Sequence, residues 1–218
     1  MSCYSYGRIL KRVSTALSRD EQVAVKRIFS WLICARQPLR TVELEHALLI
    51  QYVDKCLQHS RALYKDVLEL CGPIVEERGG YITFIHFSAR EYSHLNIYRV
   101  FMYNTDPTFS RYLTKNSADG SYGIRKAQSH AEVAMACLSY LNFRYFDSDI
   151  TDNKVDGFII KGEYVLHQYS QSNFLHHIRG AWSDANKIPN IRASTEEFLR
   201  ARWNPSFRHA DSEISSSN

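Results

Sequence analysis

The sequence has no apolar run long enough to cross a bilayer. Its longest apolar stretch, Ile28 to Ala35, is short and interrupted by Ser30, whereas a spanning helix needs about 20 consecutive apolar residues. The first residues, Met-Ser-Cys-Tyr-Ser-Tyr-Gly-Arg, lack the apolar centre of a signal peptide. Cysteine is sparse: Cys3, Cys34, Cys56, Cys71 and Cys137 make five, with no Cys-x-x-Cys pair. That pattern speaks against a disulfide framework and against a zinc site. The expectation is a cytoplasmic chain with reduced thiols. Charge of one sign is also scarce. The formal charge is +4 over 218 residues, and Lys and Arg are spread among acids. A dedicated nucleic-acid binder gathers its basic residues on one face instead. Two catalytic signatures are missing as well. There is no Gly-x-x-x-x-Gly-Lys-Ser/Thr loop to cradle phosphates and no Gly-x-Ser-x-Gly elbow to present a nucleophile.

What is present is apolar and aromatic stock in helical register. Ser18-Arg19-Asp20-Glu21 reads as a capping box, in which the serine oxygen accepts from a free amide and the glutamate reaches back. Ile28, Phe29, Leu32 and Ile33 then make one stripe. Gln37-Pro38 ends this helix, since proline disfavours helical geometry in the residue before it. Thr41 opens a second helix with Val42, Leu44, Ala47 and Leu48 on its buried side. A third is expected from Ser60 to Leu70, carrying Leu63, Val67, Leu68 and Leu70.

The period then changes. Ile74 to Glu77 reads as a strand, Arg78-Gly79-Gly80 as a tight turn, and Tyr81 to Phe87 as a second strand with alternating side chains. Gly72 and Pro73 end a helix and begin the strand, one by admitting positive φ and the other by lacking an amide donor. Ser88-Ala89-Arg90-Glu91 is another capping box, so a helix leaves the strand end. Asn104 to Arg125 is rich in turn signals. Ala127 to Phe143 is helical, Asp147 to Gly157 is polar, and Tyr164 to Ile178 is helical again. Ser194 caps a last helix ending near Trp203, and the serine-rich residues 209–218 read as disordered. His176 and His177 are adjacent, so on a helix they point about 100° apart and are poorly placed to chelate one metal.

Three helices followed by a two-stranded wing form the winged-helix pattern. The reading is therefore mainly α: a connecting helix over 1–17, a winged helix over 18–103, a loop over 104–126, a helical segment over 127–203 and a tail over 204–218.

Several blocks also resemble a known family. Tyr6 to Leu10, Ile28 to Leu32, Gln37 to Arg40 and Glu43 to Leu48 resemble the fungal-type NACHT signalling NTPases, members of the STAND (NLR-like) class. They correspond to the connecting helix and the first two winged-helix elements of those proteins. Cys71-Gly72-Pro73-Ile74 resembles a Gly-Pro-Ile/Leu signature taken to name their inverted winged helix. Phe84 to Tyr92 resembles their strand-to-helix motif. His130 with Ala136 to Leu141, and Tyr164 to Leu166 with Tyr169, Phe174, His177 and Arg179, resemble the helices that follow. Phe174 stands where the family usually has tryptophan.

The resemblance implies a regulatory module that couples nucleotide state to assembly, not an enzyme. Its expected partners are a nucleotide-binding domain, in cis or in trans, and a repeat domain. ATP or ADP would be bound only by a full-length member, and no metal, membrane or nucleic-acid contact is expected. The chain would correspond to the middle of a larger protein, as a short product or an incomplete gene model. His86 is the implied nucleotide-sensing residue, since an imidazole can donate a hydrogen bond to a phosphate oxygen. The acid that follows this histidine in plant-type relatives is replaced here by Phe87. The remaining motif positions, Gly72, Pro73, Ile74, Gly79, Gly80, Ser88 and Glu91, read as structural. The alternative is a DNA-binding winged helix, whose third helix would have to present Arg61 and Lys65 beside Asp66 and Glu69.

Overall fold

A computed structural model gives the fold, and it describes residues 11, 15–52, 54–85, 113–114, 124–147, 150–182, 193 and 195–196. Six α-helices and one small antiparallel sheet lie among them. The fold is mainly helical, a winged helix followed by further helices.

Helix α1, Arg19–Cys34, starts where the sequence places it. Ser18 Oγ accepts from the Glu21 amide at 3.3 Å, and Glu21 returns the bond to the Ser18 amide at 2.7 Å. The Glu21 carboxyl is held at about 2 by the hydrogen bond from Lys65 and by Ser18. From Ile28 onward every residue of α1 is buried, including Trp31 and Cys34. The helix stops at Cys34, short of the proline, and the Ala35 amide closes it on the Trp31 carbonyl at 2.8 Å.

Strand β1, Leu39–Arg40, leads directly into α2, Thr41–Leu49. Glu43 reaches back to the Arg40 amide at 2.8 Å. Leu44, Ala47 and Leu48 are buried as expected, but Val42 is 44% exposed. Two residues before Leu44 puts Val42 about 200° around the helix, on the opposite side from the core stripe. The far end of α2 is capped from α1. Arg27 donates to the Leu48 carbonyl at 2.9 Å and to the Ile50 carbonyl at 3.3 Å, which satisfies acceptors that a helix end leaves free.

The expected third helix from Ser60 to Leu70 is corrected. A 3-10 turn covers His59–Arg61, and the α-helix itself, α3, spans only Val67–Cys71. Asp66 is the reason. Its backbone is extended and its side chain accepts from the Glu69 amide at 2.7 Å, so it starts a helix where one was expected to continue. Leu63 is only half-buried and Leu68 is exposed.

Gly72 ends α3 with φ 54 and ψ −137, a region that costs a side chain strain. Ile74 belongs to the 3-10 turn Gly72–Ile74 rather than to the strand. The wing follows: β2, Val75–Arg78, and β3, Tyr81–Phe84, joined by Gly79 and Gly80, both at positive φ. Phe84 pairs with Val75 and Tyr81 with Arg78. The sheet has a third strand that the alternation did not reveal. β1 adds to the other edge of β3, Leu39 opposite Ile82 and Arg40 opposite Tyr81, in the order β1-β3-β2.

The second half begins with α4, Lys126–Leu141. A 3-10 turn at Arg144–Phe146 follows, then α5, Asp152–Ile160, and α6, His167–Ala181. The polar stretch at 147–157 thus contains the start of a helix. No residue of α5 is buried, so its sequence carries little stripe. Phe158 still reaches the aromatic group of Tyr145 and Tyr164, with its ring 4.7 Å from that of Tyr145. The expectations for residues 1–10, 86–112 and 197–218 lie outside the described residues, as does Ser194.

Candidate functional site: the junction of the winged helix and the helical segment

Helix α4 packs against both α6 and α1. This three-helix junction is where the winged helix meets the helical segment. It is largely apolar, with Leu32, Val133, Ala134, Cys137 and Leu138 buried. Several polar groups are sealed inside it, and nearly all have partners, as buried polar groups must. Ser129 Oγ donates to Ser30 Oγ at 3.0 Å, and the Cys34 thiol faces the Lys126 carbonyl at 3.8 Å. The Trp31 and Tyr169 rings meet at 5.7 Å.

The centre of the junction is a chain of three side chains. His130 Nδ1 lies 3.1 Å from His177 Nδ1, and His177 Nε2 lies 2.9 Å from the Tyr169 hydroxyl. All three residues are buried. Two ring nitrogens facing each other can share only one proton, so at most one of them donates. Both proton arrangements are consistent: His130 donates and His177 passes a hydrogen to Tyr169, or Tyr169 donates and His177 passes one to His130. A second proton would put two N–H groups face to face. Burial and the neighbouring imidazoles therefore hold His130 at about 4 and His177 at about 3. Burial also pushes the Tyr169 hydroxyl up.

Gly180 lets the chain form. A methyl group in place of its hydrogen would stand 2.5 Å from His130 Cγ. The ring of His130 thus lies directly on the backbone of α6.

A second set of contacts ties the halves together at the other end of α4. The Leu57 amide donates to the Tyr145 hydroxyl at 2.8 Å, and the Arg144 amide donates to the Lys55 carbonyl at 3.1 Å. His59 Nε2 lies 3.1 Å from Glu163 Oε1, and the Tyr140 hydroxyl donates to the Glu163 carbonyl at 2.6 Å.

Residues 12–97 match the family model of the GPI inositol-deacylase winged helix domain. No curated protein and no solved structure matches the chain. The matched span covers α1, β1, α2, α3, β2 and β3, the whole winged helix as described. The family's description names a deacylase, so the Gly72-Pro73-Ile74 tripeptide is not the origin of the letters GPI. The description concerns the winged helix domain alone, and the helices from α4 onward lie beyond it.

The positions singled out in the sequence fall in three groups. Gly72, Pro73 and Ile74 form the turn between α3 and β2, and Gly79 and Gly80 form the tip of the wing. His86, Ser88 and Glu91 lie outside the described residues. The pair His176-His177 divides: His177 is buried in the chain with His130, and His176 is half-buried beside both rings. Among the described residues no group of His, Cys, Asp and Glu is arranged to hold a metal. The polar chain itself was not foreseen. Its signal was present, since His130, Tyr169 and His177 are all positions that carry the resemblance, yet they lie on two helices whose packing the sequence does not fix.

Two outcomes follow from this geometry. Gly180→Ala should destabilise the chain by about 1–3 kcal/mol, the usual cost of overpacking, measured by urea denaturation. Acid should act through the histidines. An unfolded histidine titrates near 6.5, so between that pH and about 3 to 4 the unfolded chain binds more protons than the folded one. Their contribution is fully present above pH 6.5 and is lost as pH falls through that window. His177→Gln removes one titrating group. Its stability should fall roughly 1–3 kcal/mol less than wild type between pH 7 and pH 4, read by thermal melts across pH. Parallel curves would contradict the assignment.

Proposed function

We propose that the chain is a non-catalytic regulatory and interaction module of a NACHT-type signal-transducing NTPase, coupling nucleotide state to assembly. The observation that carries this reading is the buried junction of α1, α4 and α6. It joins the winged helix to the helices behind it through packed aromatics and a hydrogen-bonded chain. A module held in this way moves as one body, and a rigid-body shift is a common means of transmitting a ligand state. ATP or ADP would be bound by the partnering nucleotide-binding domain. His86, two residues beyond β3 in the sequence, is the proposed contact to its phosphates. A repeat domain is the other proposed partner, and the setting is cytoplasmic. Among the described residues no helix is long and apolar enough to cross a membrane.

Three of the cysteines are unsuited to nucleophilic catalysis. Burial pushes the thiols of Cys34 and Cys137 up to about 12 and that of Cys71 higher still, so they stay protonated and unreactive. The deacylase in the matched family's name is a property of that protein, and only its winged helix domain resembles residues 12–97.

DNA binding is disfavoured by the surface that would have to enter the groove. Helix α3 is short and carries no basic residue in its last turn. Glu45 on α2 lies close enough to Asp66 and Glu77 that burial and their charges raise its carboxyl. Acids gathered beside the reading helix and the wing would repel a phosphate backbone.

The test pairs the two readings. The purified chain, mixed with an ADP-loaded NACHT nucleotide-binding domain, should co-elute with it in size-exclusion chromatography. It should leave duplex DNA unshifted at low salt. Salt-sensitive DNA binding with no co-elution would overturn the proposal.

A further inference from the structure

Among the described residues, three cations without an acid partner meet along one edge of α6. Packing brings their backbones together. The Cys34 thiol faces the Lys126 carbonyl at 3.8 Å, so the end of α1 lies beside the start of α4. His130, one turn on from Lys126, has its ring 5.5 Å from that of His176 and lies on Gly180. Just past α1, the Arg36 backbone hydrogen-bonds the Tyr169 hydroxyl of α6. Arg36, Lys126 and Arg179 therefore converge around His176. Its protonation is disfavoured by burial and then by these same three charges. All three cations are exposed, and among the described residues none forms an ion pair. Two acids of the region are engaged elsewhere: Glu43 pairs with Arg40, and Glu132 accepts from Gln128.

The cations border apolar surface. Leu175, Arg179 and Trp182 lie four and three residues apart, so they share one face of the helix. Trp182 follows α6 with helical backbone angles and keeps that alignment. Leu175 is 49% exposed and Trp182 is 73% exposed, whereas Tyr169, Asn173 and His177 fill the opposite face. Apolar side chains in water with charge at their margin mark a contact surface. Tryptophan and arginine are also the residues that protein interfaces enrich.

We propose that this face of α6, with Arg36 and Lys126 beside it, docks an acidic segment of a partner protein that carries apolar side chains among its carboxylates. Charge complementarity selects the occupant. Like charges held together repel one another, and an acidic segment relieves that repulsion for all three at once. The apolar part of the face selects protein over nucleic acid. A phosphate backbone has nothing to place on Leu175, whereas an apolar side chain between acids covers Leu175 and Trp182 while its neighbours meet Arg179 and Lys126. Arg36 belongs to the winged helix, and Lys126 and Arg179 to the helices behind it. A segment docked here straddles the junction.

The test is fluorescence anisotropy of a labelled short peptide, in which glutamate and aspartate are interspersed with leucine, titrated with the full chain. Binding should weaken about tenfold in Arg179→Glu, because like charges across an interface are strongly disfavoured. It should weaken about fivefold or more in Trp182→Ala, as for an aromatic anchor. Lys154→Glu makes the same change of charge on α5, where no residue is buried, and should bind as wild type does. These positions are exposed, so thermal melts should match. Lys126→Glu gives a second reading should Arg179→Glu unfold. No binding by the wild-type chain, or equal weakening by Lys154→Glu, would overturn the proposal. So would equal binding of a peptide whose acids are replaced by glutamine, or tighter binding of single-stranded RNA through the same residues. Sedimentation of the chain alone examines the remaining occupant: salt-sensitive self-association that is lost in Arg179→Glu would assign the face to a second copy instead.

Discussion

Everything behind the wing depends on one close approach, the ring of His130 lying on the backbone of α6 at Gly180. A glycine there lets α4 and α6 come near enough for His130 to reach His177, and His177 to reach Tyr169. The Tyr169 ring in turn meets that of Trp31 of α1 at a tilt. The contact thus runs from α6 to α1 without leaving the core. Polar groups sealed in this way must be satisfied together, because a half-satisfied network is worse than an apolar core. That demand fixes the relative placement of three helices more tightly than apolar packing alone.

The parts of the fold legible in the sequence were those with a local cause. The Ser18 capping box, the stripe of α1, the start of α2 at Thr41 and the glycine turn of the wing each follow from residues a few positions apart. The misreadings have local causes too. Asp66 reads as one polar residue in a helix, but its side chain caps the Glu69 amide and starts the helix afresh. Val42 looks apolar enough for the core, yet faces outward. Leu39 and Arg40 make a strand of two residues, too short to show alternation, and only pairing with β3 defines it.

The junction was less legible because its partners are far apart in the chain. Ser30 meets Ser129, and Leu57 meets Tyr145. No periodicity reports such pairs. The histidine doublet illustrates the difference. Helical geometry sets His176 and His177 about 100° apart, but it cannot say that His177 points at His130. The two histidine systems also differ in kind. His130 and His177 are enclosed and favour the neutral ring, whereas His59 is open to water and faces a carboxylate.

The central claim is that the winged helix and the helices behind it form one cooperative body. Native-state hydrogen exchange tests it most directly, by comparing the opening free energies of the Ile33 amide in α1 and the Phe174 amide in α6. Cooperative units open together, while separable ones open at distinct energies. The account predicts that the two values agree and fall together in Gly180→Ala. Values more than about 1 kcal/mol apart, with only Phe174 responding to the substitution, would contradict it.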